Sequence, residues 1–318
     1  MHRLLIPLFL AALLPAAQAQ DAWPSRPVHI IVPYTPGTGA DILARVLGPK
    51  LSERWKAAVV TDNKPGATGN IGADAAAKSP PDGYTLLLTA TSFTTNPALK
   101  PAPFDPVKDF APIALIATGA LGVYINPNVP AKTMKEFVQL VKSQPGKLYY
   151  SSPGNGGPQH LAMELLKLET GMDIVHVPYK GAAGAISDLV GGHVQAMISA
   201  LQTVAPHVHG GRLRMLAVMS AQRSDAFPDV PTLKQAGLPD LEVETWYAMF
   251  APAGTPPAIV ARTNADLNDF LKEADVKDVL EKQGLQPRGG SSEVLGERVK
   301  KDLASWTRVV QAAHIKAD

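Results

Sequence analysis

Short runs of β-branched and aliphatic residues alternate along the chain with longer segments whose apolar residues recur every three or four positions. The run at 28–33 is typical of a buried strand, and a glycine-rich turn follows it. The next segment, 40–56, places Leu43, Leu47 and Trp55 at helical spacing. Repeated strand–loop–helix units predict an α/β protein with mostly parallel sheets and helices on both faces.

The same alternation continues to the end of the chain. Further strands are predicted at 58–62, 84–89, 113–117, 123–126, 148–151, 174–177, 194–199, 214–219 and 243–251. Further helices are predicted at 70–78, 133–143, 158–170, 182–190, near 204, and at 258–273, 276–283 and 292–313. A length of 318 residues is better suited to two domains than to one.

The first 19 residues are interpreted as a cleavable signal peptide. Arg3 precedes an apolar stretch at 4–14, which is shorter than the roughly 20 residues of a membrane-spanning helix. Ala17-Gln18-Ala19 matches the small-x-small cleavage pattern, and an uncleaved anchor is the less favoured alternative. The chain has no cysteine, which excludes disulfides, thiolate metal sites and a cysteine-linked lipid anchor.

Charge and motifs exclude several functions. Thirty basic residues stand against 28 acidic ones, and loss of Arg3 leaves 29 against 28, a balance that does not suit a nucleic-acid-binding protein. The chain contains no G-K-[ST], G-x-S-x-G or H-E-x-x-H motif. His207 and His209 lack a neighbouring third ligand and are interpreted as surface imidazoles. No metal, cofactor or catalytic residue is predicted.

Four loops that follow predicted strands are rich in Gly, Ser and Thr and nearly free of charge. They lie at 34–41, 89–96, 151–159 and 179–183. Ligands of open α/β sheets bind beyond the carboxyl ends of the strands. Glycine lets the backbone approach a ligand, and helix N-termini attract anions. Any one loop could be a simple tight turn, but the set favours a shared site for a negatively charged ligand.

These loops, with the motifs around them, resemble the Bug family, the extracytoplasmic receptors of tripartite tricarboxylate transporters. The resemblance covers the whole chain after the signal peptide and rests on motifs in a fixed order. They are Trp23-Pro24-Ser25-Arg26-Pro27, Gly37-Thr38-Gly39-Ala40-Asp41, Asn63-Lys64-Pro65-Gly66-Ala67, Pro81-Asp82-Gly83-Tyr84-Thr85-Leu86, Phe104-Asp105-Pro106, Pro153-Gly154-Asn155-Gly156, His176-Val177-Pro178-Tyr179-Lys180-Gly181 and Ala251-Pro252-Ala253-Gly254.

The resemblance implies an α/β type II periplasmic-binding-protein fold, with two α/β domains and a ligand cleft between them. Domain 1 would combine 21–124 with 247–318, and domain 2 would be 125–246. The crossings near Tyr124 and Trp246 would form the hinge. It further implies a monomeric periplasmic receptor, not an enzyme, whose partners are a small carboxylate and the membrane subunits of a tripartite tricarboxylate transporter.

Contact residues are carried over from the family by matching position. They are Tyr34, Thr38, Gly39, Ala40, Ser92, Phe93, Thr94, Gly156, Gly157, Pro158, His160, Tyr179 and Asp188. Asp188 would either orient loop amides or water, because an ionised carboxylate repels the ligand, or make a polar contact within its helix. His160 would either reach the anion or pack within its helix.

Two positions depart from the family pattern. Thr38 stands where glycines are usually paired, and Gly157 stands where serine is frequent. The predicted ligand is a dicarboxylate. It could be an aromatic dicarboxylate, because Phe93 could stack on an aromatic ring. The alternatives are a ligand-sensing receptor for a membrane kinase and, less favoured, a periplasmic enzyme acting on a carboxylate.

Overall fold

The computed structural model describes residues 23–179 and 181–315, so the predicted signal peptide lies outside the described residues. The strands are β1 Val28–Val32, β2 Val59–Asn63, β3 Thr85–Ala90, β4 Phe110–Ile125, β5 Tyr149–Ser152, β6 Val175–Pro178, β7 Ala196–Ala200, β8 Arg214–Val218, β9 Glu244–Pro252 and β10 Gln286–Pro287. The helices are α1 Gly39–Trp55, α2 Asn70–Ala77, α3 Ser92–Leu99, α4 Met134–Ser143, α5 Pro158–Thr170, α6 Ala182–Gly191, α7 Leu201–His209, α8 Pro257–Phe270, α9 Ala274–Lys282 and α10 Ser292–Ala312.

Two lobes share one long strand. The strand order is β2-β1-β3-β9-β4-β7-β5-β6, and β10 and β8 also pair with β4. Lobe 1 contains β1, β2, β3, β9 and β10, with the parallel pairs β1–β2 and β1–β3. Lobe 2 contains β5 to β8, with β5 parallel to β6 and β7. The alternation of strands and helices therefore gives the expected α/β fold.

The shared strand β4 corrects the prediction of two separate strands at 113–117 and 123–126. Its 16 residues pair with β9 at Phe110–Ala120 and with β7 at Leu121–Ile125. Gly119, between the two predicted strands, allows close pairing: an added Cβ would lie 2.8 Å from Thr245 Oγ1. One strand thus passes directly from lobe 1 to lobe 2.

The C-terminal helix α10 packs on both lobes. Leu295 and Val299 belong to an apolar cluster of lobe 1, whereas Trp306 and Val309 belong to the large cluster of lobe 2. Arg308 adds an ion pair to Glu169 of α5 at 3.0 Å. The division into 21–124 plus 247–318 and 125–246 stays a prediction, and it does not capture this contact of α10 with lobe 2.

The segment 89–96 was expected to be a loop, but most of it forms α3. Its threonines and the internal Pro97 are poor helix formers. Tertiary packing overrides these preferences, because Phe93, Thr94 and Thr95 are buried in lobe 1. The second predicted loop is therefore the start of a helix.

Candidate functional site

A cleft of about 400 Å³ lies between the lobes. Lobe 1 contributes the turn before α2, one face of α3 and the residue that follows α3, and lobe 2 contributes the loop that leads into α5. The lining residues are Ala67, Thr68, Ser92, Thr95, Asn96, Leu99, Lys100, Pro153, Gly154, Asn155, Gly156, Gly157, Pro158 and Gln159. Among these described residues Lys100 is the one charged side chain, and no carboxylate lines the cleft. The arrangement suits an anion.

The loop before α5 gives lobe 2 its anion-binding character. Gly156 has a φ of 70°, the left-handed region that favours glycine, and Gly157 is extended with Pro158 as the first helical residue. The amides of Gln159 and His160 lie in the first turn of α5, where the helix itself supplies no acceptor. The partial positive charge of these amides therefore lies on the lobe 2 side of the cleft.

On the opposite wall, Tyr34 fixes the first residue of α3. Its hydroxyl lies 2.6 Å from Ser92 Oγ and 3.1 Å from Thr89 Oγ1, and it accepts a hydrogen bond from the Ala90 amide at 3.1 Å. Burial raises the pKa of Tyr34, although these hydrogen bonds partly oppose the shift, so the phenol stays protonated. Tyr34 therefore acts on the cleft by orienting Ser92.

The loop at 34–41 is a packed corner rather than a lining of this cleft. Thr38 Oγ1 donates to the carbonyl of Thr35 at 2.9 Å, and Ala40 is buried in the core. The buried carboxylate of Asp41 accepts hydrogen bonds from the Gly37 amide at 2.9 Å, Arg45 Nε at 3.0 Å and Asn63 Nδ2 at 2.9 Å. Burial alone would raise the pKa of Asp41, but these hydrogen bonds hold it below its usual value.

Gly39 begins α1 against the ring of Tyr247, a residue of the crossing strand β9. A Cβ added at Gly39 would lie 2.7 Å from Tyr247 Cζ. Burial is the main cause of the raised pKa of Tyr247, so its phenol also stays protonated. Tyr247 is a residue of this corner that sequence reasoning missed.

We expect Gly39→Ala to destabilise the protein by about 1 kcal/mol, because Tyr247 must move to accept the methyl group. Gly296→Ala is the matched control. Gly296 is also helical, and the nearest atom to an added Cβ is 3.4 Å away, so alanine should be neutral or stabilising there. Thermal unfolding of the two variants checks the difference, and equal melting temperatures would contradict the role given to Tyr247.

Phe93 and Thr94 do not reach the cleft, which corrects the expectation for both. The Phe93 ring is 2% exposed and packs on Phe104, Phe110 and Phe250, with ring centroids 5.4, 5.0 and 4.7 Å away. Thr94 is fully buried, and its hydroxyl donates to the carbonyl of Thr91 at 3.1 Å. An aromatic stack between Phe93 and a ligand is therefore not available in this structure.

His160, Tyr179 and Asp188 lie on the lobe 2 side, behind the lining residues. The His160 ring is 4% exposed and turns inward, where Nδ1 accepts the Gly156 amide hydrogen at 2.9 Å. The hydroxyl of Tyr179 donates to the carboxylate of Asp188. Burial, together with this carboxylate, raises the pKa of Tyr179 to about 12. Among residues 23–179 and 181–315, the Asp188 carboxylate accepts a hydrogen bond from a tyrosine and none from a loop amide.

Sequence reasoning missed the turn that precedes α2. Ala67 and Thr68 line the cleft with φ values of 46° and 54°, which are unusual for residues other than glycine. Asn96 holds this turn by donating to the Thr68 carbonyl at 2.9 Å and to Asn70 Oδ1 at 3.0 Å. Strained backbone of this kind is often found at ligand sites. The flanking Gly66 and Gly69, after a strand, were the available signal.

Two further observations concern membranes and metals. Within 23–179 and 181–315, no helix combines the length and apolarity needed to cross a bilayer. In the same residues, no group of three or more His, Asp or Glu side chains is placed to hold a metal ion.

Two α/β lobes joined by crossing strands, with a weakly charged cleft between them, define a solute-binding protein of the periplasmic type. The chain belongs to the tripartite tricarboxylate transporter receptor family (TctC), whose profile matches residues 43–315. This confirms the resemblance to the Bug family and the expected fold class. Family members are substrate-binding receptors, not enzymes, and they work with membrane transporter components.

Several known proteins are similar over nearly their whole length. Protein BugT of Bordetella pertussis is 35% identical over 304 residues, covering 95% of this chain and 93% of that protein. The structure of Rpa4515 from R. palustris with adipate is 34% identical, with a TM-score of 0.76 and coverage of 92% and 99%. MatC from Rhodopseudomonas palustris with bound malate is 29% identical, with a TM-score of 0.73 and coverage of 91% and 100%.

Proposed function

We propose that this chain is a monomeric periplasmic receptor that closes around a small aliphatic dicarboxylate and delivers it to the membrane subunits of a tripartite tricarboxylate transporter. In this proposal, residues 1–19 direct export and are removed. The observation that carries the proposal is the lining of the cleft, where the first turn of α5 faces α3 and the described residues include one cation and no anion.

The first carboxylate is assigned to the loop before α5. Hydrogen bonds to a charged acceptor each contribute about 1.5–3 kcal/mol. The amides at the start of α5, together with the Ser92 hydroxyl from lobe 1, supply such donors from opposite walls. Because the donors come from both lobes, the ligand favours the closed state over the open one.

The second carboxylate is assigned to Lys100. This exposed lysine follows the last residue of α3, and no ion-pair partner for it is found among the described residues. Its neighbour Leu99 meets Gly156 across the cleft, so Lys100 lies near the point where the lobes touch. The ligands of two relatives, adipate and malate, are dicarboxylates, which supports this class. The burial of Phe93 removes the argument for an aromatic ligand.

Calorimetric titration of the purified protein, without the predicted signal peptide, tests the proposal. The ligands are adipate and malate, hexanoate as a monocarboxylate of adipate's length, and a neutral sugar. We expect at least one dicarboxylate to bind with a Kd of about 1 μM or tighter, equivalent to about −8.2 kcal/mol. Hexanoate should bind about two- to fivefold more weakly than adipate, because the exposed Lys100 loses its partner. Binding of the sugar alone would overturn the proposal.

A further inference from the structure

Two stacked histidines lie beneath the cleft loop of lobe 2. The rings of His160 and His176 are nearly parallel, at 12°, with centroids 3.8 Å apart. Tyr150 extends the stack, with its ring centroid 4.8 Å from that of His176. His160 and Tyr150 are buried, so the stack forms a rigid support under the loop.

Each histidine is tied to one glycine of the loop. His160 Nδ1 accepts the amide hydrogen of Gly156 at 2.9 Å. His176 Nε2 lies 2.7 Å from Ser152 Oγ, and the same hydroxyl donates to the Gly154 carbonyl at 2.9 Å. Gly154 and Gly156 both line the cleft. The loop therefore takes its shape from the imidazole stack below it.

The bond to Gly156 also fixes the tautomer of His160. A ring nitrogen that accepts a backbone N–H carries no proton, so the proton of neutral His160 is on Nε2, which lies 3.9 Å from Glu164 Oε1. That carboxylate is held in turn by the Tyr150 hydroxyl at 2.6 Å and Lys167 Nζ at 2.8 Å. The Nε2 side of the ring therefore faces a carboxylate that is itself held in place, while Nδ1 faces the Gly156 amide.

We infer that His160 is a positioning residue: through Nδ1 it holds Gly156 in its left-handed conformation and so directs the first amides of α5 at the ligand. This role rests on the proposed function in its final step, the binding of a carboxylate. It differs from the direct anion contact considered for His160, because the imidazole acts through the loop and does not touch the ligand.

The test compares His160→Phe with His160→Asn. Phenylalanine keeps a ring in the stack but offers no acceptor, whereas asparagine offers an oxygen near the position of Nδ1. The first readout needs no ligand: hydrogen exchange of the Gly156 amide, followed by NMR. We expect exchange to be about tenfold faster in His160→Phe and within threefold of the parent in His160→Asn.

The second readout is the Kd for adipate and malate. It should rise about tenfold in His160→Phe and less than threefold in His160→Asn. The inference would be overturned if the Gly156 amide of His160→Phe exchanged at the parent rate. It would also be overturned if both variants lost exchange protection and affinity equally, since His160 would then act only by packing. If the parent binds neither ligand, the proposed function fails. Amide exchange alone still tests whether the hydrogen bond to His160 Nδ1 holds Gly156 in place.

Discussion

Asp41→Ala is expected to lower the free energy of unfolding by about 3 kcal/mol. The carboxylate is 2% exposed and accepts hydrogen bonds from the Gly37 amide, Arg45 and Asn63. Truncation leaves the Gly37 and Asn63 donors without their acceptor inside the corner, and losses of this type usually range from about 1 to 3 kcal/mol per group. Arg45 loses little, since its side chain is largely exposed and can turn to water.

Arg45→Gln provides the control, because it removes the exposed partner and keeps the buried carboxylate with its other two donors. We expect it to lower stability by less than about 1 kcal/mol, as for other exposed ion pairs. Urea unfolding at pH 7 measures both variants. A loss in Arg45→Gln equal to that in Asp41→Ala would show that the ion pair, and not the corner, accounts for the stabilisation.

The same experiment at low pH checks the sign of the electrostatic argument. Because the pKa of Asp41 in the folded protein lies below its ordinary value, its contribution is complete above about pH 4. The contribution is lost as the pH falls through the folded-state pKa. The difference between the parent and Asp41→Ala should therefore shrink at pH 3, and a larger difference there would contradict the assignment.

The periodic elements were predictable because their local signals agree with the fold. The predicted helix at 158–170 has the bounds of α5, with Pro158 at its first position. Thr133 caps α4 with a sequence pattern typical of a helix start: its hydroxyl accepts the Glu136 amide, and the Glu136 side chain accepts the Lys132 amide. In such segments the cap, the apolar spacing and the tertiary contacts all favour the same conformation.

The errors fall where tertiary packing decides the conformation. Neither α3 nor the unbroken course of β4 has a clear local signal, since threonine and proline disfavour the helix and Gly119 suggests a turn. Residue type alone also could not show which way a side chain points. Phe93 belongs to an aromatic cluster, although its loop position had suggested a ligand contact.

The sequence predicts the kind of site that the cleft forms, but not all of the residues that line it. Glycine and hydroxyl residues after strands indicated an anion site, and Ser92, Gly156, Gly157 and Pro158 line the cleft. Ala67, Thr68 and Lys100 were missed, because their roles depend on how the two lobes meet across the cleft. That arrangement is set by β4, β9 and α10, which connect distant parts of the chain.

Gly156→Ala is expected to weaken dicarboxylate binding about thirtyfold or more. At its φ of 70° an alanine is strained by roughly 1–2 kcal/mol, so the free loop should relax to another conformation and binding must restore the strained one. The added Cβ would also overlap Leu99 Cδ2 from the opposite lobe, so either that side chain shifts or the cleft closes less completely. A total of about 2 kcal/mol corresponds to about thirtyfold in Kd, since each 1.4 kcal/mol is tenfold.

Gly157→Ala, one residue along the same loop, separates this effect from a general sensitivity of the loop. Gly157 is extended, with a φ of −71°, and its nearest neighbours to an added Cβ are 3.7 Å away. Its Kd should therefore stay within about threefold of the parent, given that ordinary contact distances require no rearrangement. Calorimetry with adipate and malate on the two variants provides the comparison. If Gly157→Ala lost as much affinity as Gly156→Ala, neither the left-handed backbone of Gly156 nor its contact with Leu99 would explain binding in this cleft.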